Sequence, residues 1–288
     1  MSTVDPERAR EERRRAWREG PASRIVLAVA GLALGLFAVI LGVGFMVDVD
    51  SSRITSLNSV FADWDSNLDG LRWTFPVGMV GVLLGVFGMV FAASASTGRH
   101  FSFPVAGPVT IGVVGAAIGV SIAAPMMTEP LTVGPRTDPV FFEHEPWGPW
   151  DWFWYEVTWW GPLLAWTLAA VAIGIAILAR RRRRARRELL ATVLASGLIA
   201  RGVVTKAPVP SSEGSNYITT ITVRFVDHVG TERWTRCSGA WSKASLPQAG
   251  KFVAVLFDPA AAGDERRIWV GPVGSVDVDG FTRWGFGV

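Results

Sequence analysis

Cysteine is almost absent from this chain: one residue, Cys237, in 288. An internal disulfide is therefore excluded. A half-buried strand is the expected place for that residue. Charge is also scarce, at 18% of residues, against about 25% in an average soluble domain. Lysine is scarcer still, with three against 25 arginines. The deficit of charge is concentrated in four long stretches that hold no Asp, Glu, Lys, Arg or His. Proton relays, ion pathways and voltage sensors place such groups inside a bundle. Their absence argues against an ion-coupled pump.

What fills those stretches is apolar. They run from Ile25 to Val47, about Phe75 to Ala95, about Pro104 to Pro125 and about Val157 to Ala179. A helix rises about 1.5 Å per residue, so the first reaches about 35 Å, enough for a hydrocarbon core of about 30 Å. The first run is too long for the core of a cleaved signal peptide and lacks a small-residue cleavage site. The expected fold class is four transmembrane helices followed by a small all-β domain, barrel or sandwich.

The segments between the spans alternate in charge. Residues 1–24 hold seven arginines and five acids, and 48–74 hold two arginines and five aspartates. Residues 126–156 hold one arginine and six acids, and 180–187 hold seven arginines. Basic flanks stay in the cytoplasm. Both termini are therefore expected inside, with 48–74 and 126–156 as acidic outer loops. The domains expected are a basic helix at 1–24, the membrane region 25–179, a basic linker helix at 180–198 and a cytoplasmic β-domain at 199–288.

The densest charge is Arg180, Arg181, Arg182, Arg183, Arg184, Arg186 and Arg187. Nucleic-acid binding would call for aromatic platforms or a reader fold, and the run has no aromatics. A stop-transfer signal and attraction to anionic lipid headgroups, about 1 kcal/mol per basic residue, fit its place beside span four. The partners expected are the bilayer, anionic headgroups and a second copy or another membrane protein, with no nucleic acid.

Glycines recur on helical stripes. Gly78, Gly81, Gly85 and Gly88 share one face of span two, Gly112, Gly115 and Gly119 one face of span three, and Gly31 and Gly35 lie in span one. Small residues at this spacing let helices approach closely in lipid, within the bundle or between copies.

The outer loops carry two further patterns. Asp65, Asn67, Asp69 and Gly70 form the first half of a calcium loop, but the twelfth position is Pro76. An EF-hand is excluded, leaving a weak external calcium site or a polar turn. Trp147, Trp150, Trp152, Trp154, Trp159 and Trp160 crowd one short stretch. Indoles favour the headgroup level, as anchors or as a platform for a glycan or lipid head. His144 stands between Glu143 and Glu145 with no second histidine near it, a weak metal signal.

Beyond about Ile199 the periodicity becomes two. Tyr217, Thr219, Ile221, Val223 and Phe225 alternate with Ile218, Thr220, Thr222 and Arg224, which predicts a strand. "DHVG" turns the chain into a returning strand, "TERWTRC". Five to seven short strands are expected in all, including one or two after Gly274. The order of Gly202, Phe225-x-Asp227-x-x-Gly230, Gly250 and Asp258-Pro259 is similar to that of a bacterial β-domain of unknown function, found attached to membrane spans, often in actinobacterial proteins. The resemblance covers about 70 residues and implies a fold, not a chemistry. His228, Ser238, Ser242 and Ser245 fall into no catalytic motif, and neither a phosphate-binding glycine loop nor metal-ligand spacing is present. No cofactor is implied, and an enzyme is the least favoured class. The sequence points to an inner-membrane protein with a role in interaction or assembly. The alternatives are an accessory to a transporter or channel, and an envelope sensor with outer-loop ligands and an inner output domain.

Overall fold

The computed structural model describes residues 21–58, 66–97, 106–138, 140, 144–207, 216–242 and 246–282. The basic helix expected in 1–24 falls, up to residue 20, outside them. The chain divides into two compact units, with the boundary inside one long helix at residues 176 and 177.

The first unit is built on α1, Pro21–Leu57. Proline suits a first helical position because its missing N–H has no intrahelical partner there. Helix α2, Thr74–Thr97, and helix α3, Ala106–Ala123, pack on two sides of α1 and touch each other little. Helix α4 is short, Pro149–Tyr155, and α5 runs unbroken from Val157 to Ser196. Among the described residues four helices are thus long and apolar enough to cross a membrane.

Two boundaries differ from expectation. Residues 48–57, expected in a loop, are the last turns of α1. The hydroxyls of Ser52, Thr55 and Ser56 donate to carbonyls four residues back, at 2.9–3.0 Å. Their polarity is thereby absorbed within the helix, and the charge pattern that suggests a loop belongs to a polar helix end. The linker helix expected at 180–198 is no separate element, since α5 continues through the arginines. The loop 126–156 also contains a small hairpin, β1 (Pro135–Thr137) with β2 (His144–Pro146).

The second unit is an antiparallel sheet of five strands in the order β5-β4-β3-β6-β7. The strands are β3 (Leu198–Lys206), β4 (Asn216–Val226), β5 (Glu232–Ser242), β6 (Phe252–Phe257) and β7 (Ile268–Gly271). It curls into a half-barrel around Val204, Ile221, Val223, Phe225, Trp241, Val253, Val255, Phe257 and Val270. Gly202 in the central strand makes the curl possible: a Cβ there would lie 2.6 Å from Val255 and 2.7 Å from Val223. Gly230 closes the β4–β5 turn at φ +83°, a conformation that glycine adopts freely. The back of β6 and β7 is covered by Leu190 and Val193 of α5 and by Phe281. Phe281 belongs to helix α6, Val278–Thr282, where the sequence suggests a further strand. Five residues with Gly280 among them take one helical turn instead. The edge strands β5 and β7 approach each other without pairing.

Candidate functional site

The last turns of α1 end in a buried polar clasp. Asp50 is fully buried, and Arg53 one helical turn on is 2% exposed. A buried carboxylate needs its lone pairs met, and four groups meet them here. Ser66 Oγ donates to Asp50 at 2.6 Å, Thr128 Oγ1 at 2.8 Å, the Thr128 N–H at 3.1 Å and Arg53 Nη2 at 3.2 Å. Arg53 also donates to the Thr128 carbonyl, while its Nε has no partner among the described residues. Asp50 thus joins α1 to the segments that precede α2 and follow α3. Nearby, Asn58 Oδ1 accepts from the Leu131 N–H at 3.1 Å. None of this is evident from spacing, beyond an Asp and an Arg three residues apart beside an apolar run.

A second set of bonds holds the hairpin. Arg136 donates to the Ser56 carbonyl at 2.7 Å and to Asp151 at 3.1 Å. Asp151 in turn accepts from the Gly148 N–H at 3.0 Å, opening α4. Trp147, expected among the interfacial aromatics, is instead 7% exposed, and its indole donates to the Leu57 carbonyl. It caps the end of α1, where the last carbonyls of a helix have no intrahelical donor. Trp150, Trp152 and Trp159 are exposed, and Trp154 and Trp160 are half-buried. Trp150, Trp154 and Trp160 gather around Phe153, with Trp150 stacked on Phe153 at 5.2 Å and Phe153 on Trp160 at 4.6 Å, while Trp152 packs edge-on against Trp147 and Tyr155.

Two of the three expected calcium residues, Asn67 and Asp69, lie among the described residues. Asp69 pairs with Arg72 at 2.9 Å. Asn67 contributes its backbone N–H to Thr128 Oγ1, and Asp65 lies outside the described residues. Among the described residues no three His, Cys, Asp or Glu side chains group to hold a metal. His144 sits in β2, its Nδ1 3.1 Å from Thr137 Oγ1.

Gly78, Gly81, Gly85, Gly115 and Gly119 face α1. A Cβ on Gly78 would lie 2.5 Å from the Leu41 backbone, one on Gly85 3.0 Å from Leu34, and one on Gly81 would overlap Phe37. A Cβ on Gly115 would lie 2.6 Å from the Gly35 carbonyl, and one on Gly119 would meet that of Val39. Gly31 and Gly35 face Ile111, while Gly88 and Gly112 meet nothing within 4 Å. Gly42 and Gly44 complete the seam against Ala116 and Phe75, and they fall outside the three-and-four spacing that marks the others.

In the second unit, Arg180, Arg181, Arg182, Arg183, Arg184, Arg186 and Arg187 are all exposed on α5. Asp227 at the β4–β5 turn is buried, which pushes its carboxyl up. Hydrogen bonds from Arg233 and from the Thr231 and Val229 N–H groups outweigh this and hold it below the usual range. Asp258 is lowered by Arg267 at 2.7 Å and by the Ala260 N–H. Burial pushes the Cys237 thiol up to about 11, against a smaller opposing effect of Arg186. His228 is exposed in the turn, and Ser238 is exposed with its hydroxyl 2.7 Å from that of Thr220. No family model, curated protein or solved structure matches this chain.

Proposed function

We propose that this chain is a multi-pass inner-membrane protein that serves assembly. Helices α1, α2 and α3 form a self-contained core, and α5 is the element offered to others. One observation carries this: only 6% of the most apolar window of α5 is buried, against 17–33% in the other three helices. Leu163, Leu168, Val171 and Ile175 stand exposed along it. Lipid tails are as apolar as leucine and do not themselves drive helices together. Close packing against a partner helix would add contacts that α5 does not make within its own chain. The charge alternation described above supports cytoplasmic termini, and the exposed arginines on α5 suit an anionic headgroup layer.

The test is site-specific photo-crosslinking in cells. A benzophenone side chain in place of Leu168 is expected to give a discrete protein adduct, either a second copy or another membrane protein. The same probe in place of Phe91 on α2 should give lipid adducts only. Lipid adducts alone at Leu168, Val171 and Ile175 would refute the assembly role.

A further inference from the structure

The gap between the edge strands of the half-barrel is a cavity of about 240 Å³. Its walls come from β5, β7, Phe281 and one member of the arginine run, Arg186. The lining is rich in donors. Arg186 and Arg236 supply two guanidinium groups, neither held by an ion pair or hydrogen bond among the described residues. Thr235 and Ser238 line the cavity as well, and Glu265 is the single carboxylate of the lining. Trp269 also lines the cavity. It is 4% exposed, and its indole N–H has no acceptor among the described residues. With the Cys237 thiol neutral near pH 7, the charged side chains of the lining are two cations and one anion.

We propose that this seam cavity binds a phosphate group. Its oxygens offer acceptors to Arg186 and Arg236, and two guanidinium groups recognise phosphate in fork geometry with charge-assisted bonds. The site is distinct from a diffuse basic field, because Arg182, Arg183 and Arg184 do not line it. The phosphate could arrive in solution or on a lipid head, and the chemistry is the same for both.

The lone thiol in the chain lies in the cavity wall, so Cys237 reports occupancy. The full chain is placed in discs of zwitterionic lipid and labelled with a small thiol reagent. Inorganic phosphate should slow labelling about tenfold once it exceeds its Kd about tenfold, and chloride at matched ionic strength should not. Arg236→Gln and Arg186→Gln should abolish the protection, whereas Arg183→Gln should keep it. Both lining arginines are exposed, so their loss leaves no hole in the core, and matching near-UV circular dichroism verifies the fold. Phosphatidic acid in the discs, without added phosphate, tests the second source. Protection in either arm supports the site and identifies the source. No protection in either arm, protection by chloride, or equal loss in Arg183→Gln would overturn it.

Discussion

Asp50 sits where an apolar helix turns polar, and its burial makes it the most consequential carboxylate in the first unit. Removing one partner of a buried ion pair leaves the other uncompensated, at a cost of roughly 3–5 kcal/mol. Asp50→Ala should therefore lower the midpoint of thermal unfolding in detergent strongly. Asp50→Ala with Arg53→Met should recover part of the loss, since no buried charge then remains. If the double variant is no better than the single, Arg53 does not depend on Asp50. The aspartates of the half-barrel respond to acid instead. Asp227 and Asp258 both bind protons less readily in the fold than in an unfolded chain, where a carboxyl titrates near about 3.9. As pH falls, the unfolded chain takes up these protons first. The stability they contribute is complete above that value and fades as pH drops through the lower folded values. Thermal exposure of the Cys237 thiol should accordingly begin at a lower temperature at pH 3 than at pH 6. Arg233→Gln together with Arg267→Gln should flatten the difference.

Helix packing repeats this logic with space in place of charge. Gly78 and Gly119 lie against backbone of α1 that cannot move aside, whereas Gly88 and Gly112 face open space. Gly78→Ala and Gly119→Ala should each destabilise the bundle by roughly 1–3 kcal/mol, the usual cost of overpacking. Gly88→Ala and Gly112→Ala should be neutral or mildly stabilising, because alanine is the better helix former by about 1 kcal/mol. A loss of stability at Gly88 comparable to that at Gly78 would mean that the stripe packs on something outside the chain. The stripes themselves are legible in the sequence because helical spacing puts their members on one face. Which members meet a neighbour is not legible, since that depends on where α1 crosses them. The strands of the half-barrel are legible for a similar reason: the alternation from Tyr217 to Phe225 and the turn residues Asp227 and Gly230 act locally. The clasp at Asp50 and the burial of Trp147 are not, because each depends on bonds to residues distant in the chain. Thr128 is 78 positions from Asp50, and Trp147 is 90 from Leu57.

At the scale of the whole molecule, the open question is which side of a membrane each end occupies. Arginine is the discriminating residue, because basic segments resist translocation while acids count for little. Residues 48–74 and 126–156 together hold three arginines, and the eight residues from 180 to 187 hold seven. The hairpin and clasp belong to the first pair of segments, so they should lie outside, and the half-barrel should lie in the cytoplasm. Two variants in a Cys237→Ser background test this. Glu129 is exposed beside the clasp and Lys206 is exposed at the end of β3, so a thiol at either position would be open to a reagent. Glu129→Cys should react with a membrane-impermeant maleimide in intact cells. Lys206→Cys should react only after the membrane is permeabilised. Labelling of Lys206→Cys in intact cells would invert the orientation, and labelling of both would remove the barrier that four apolar helices are expected to require.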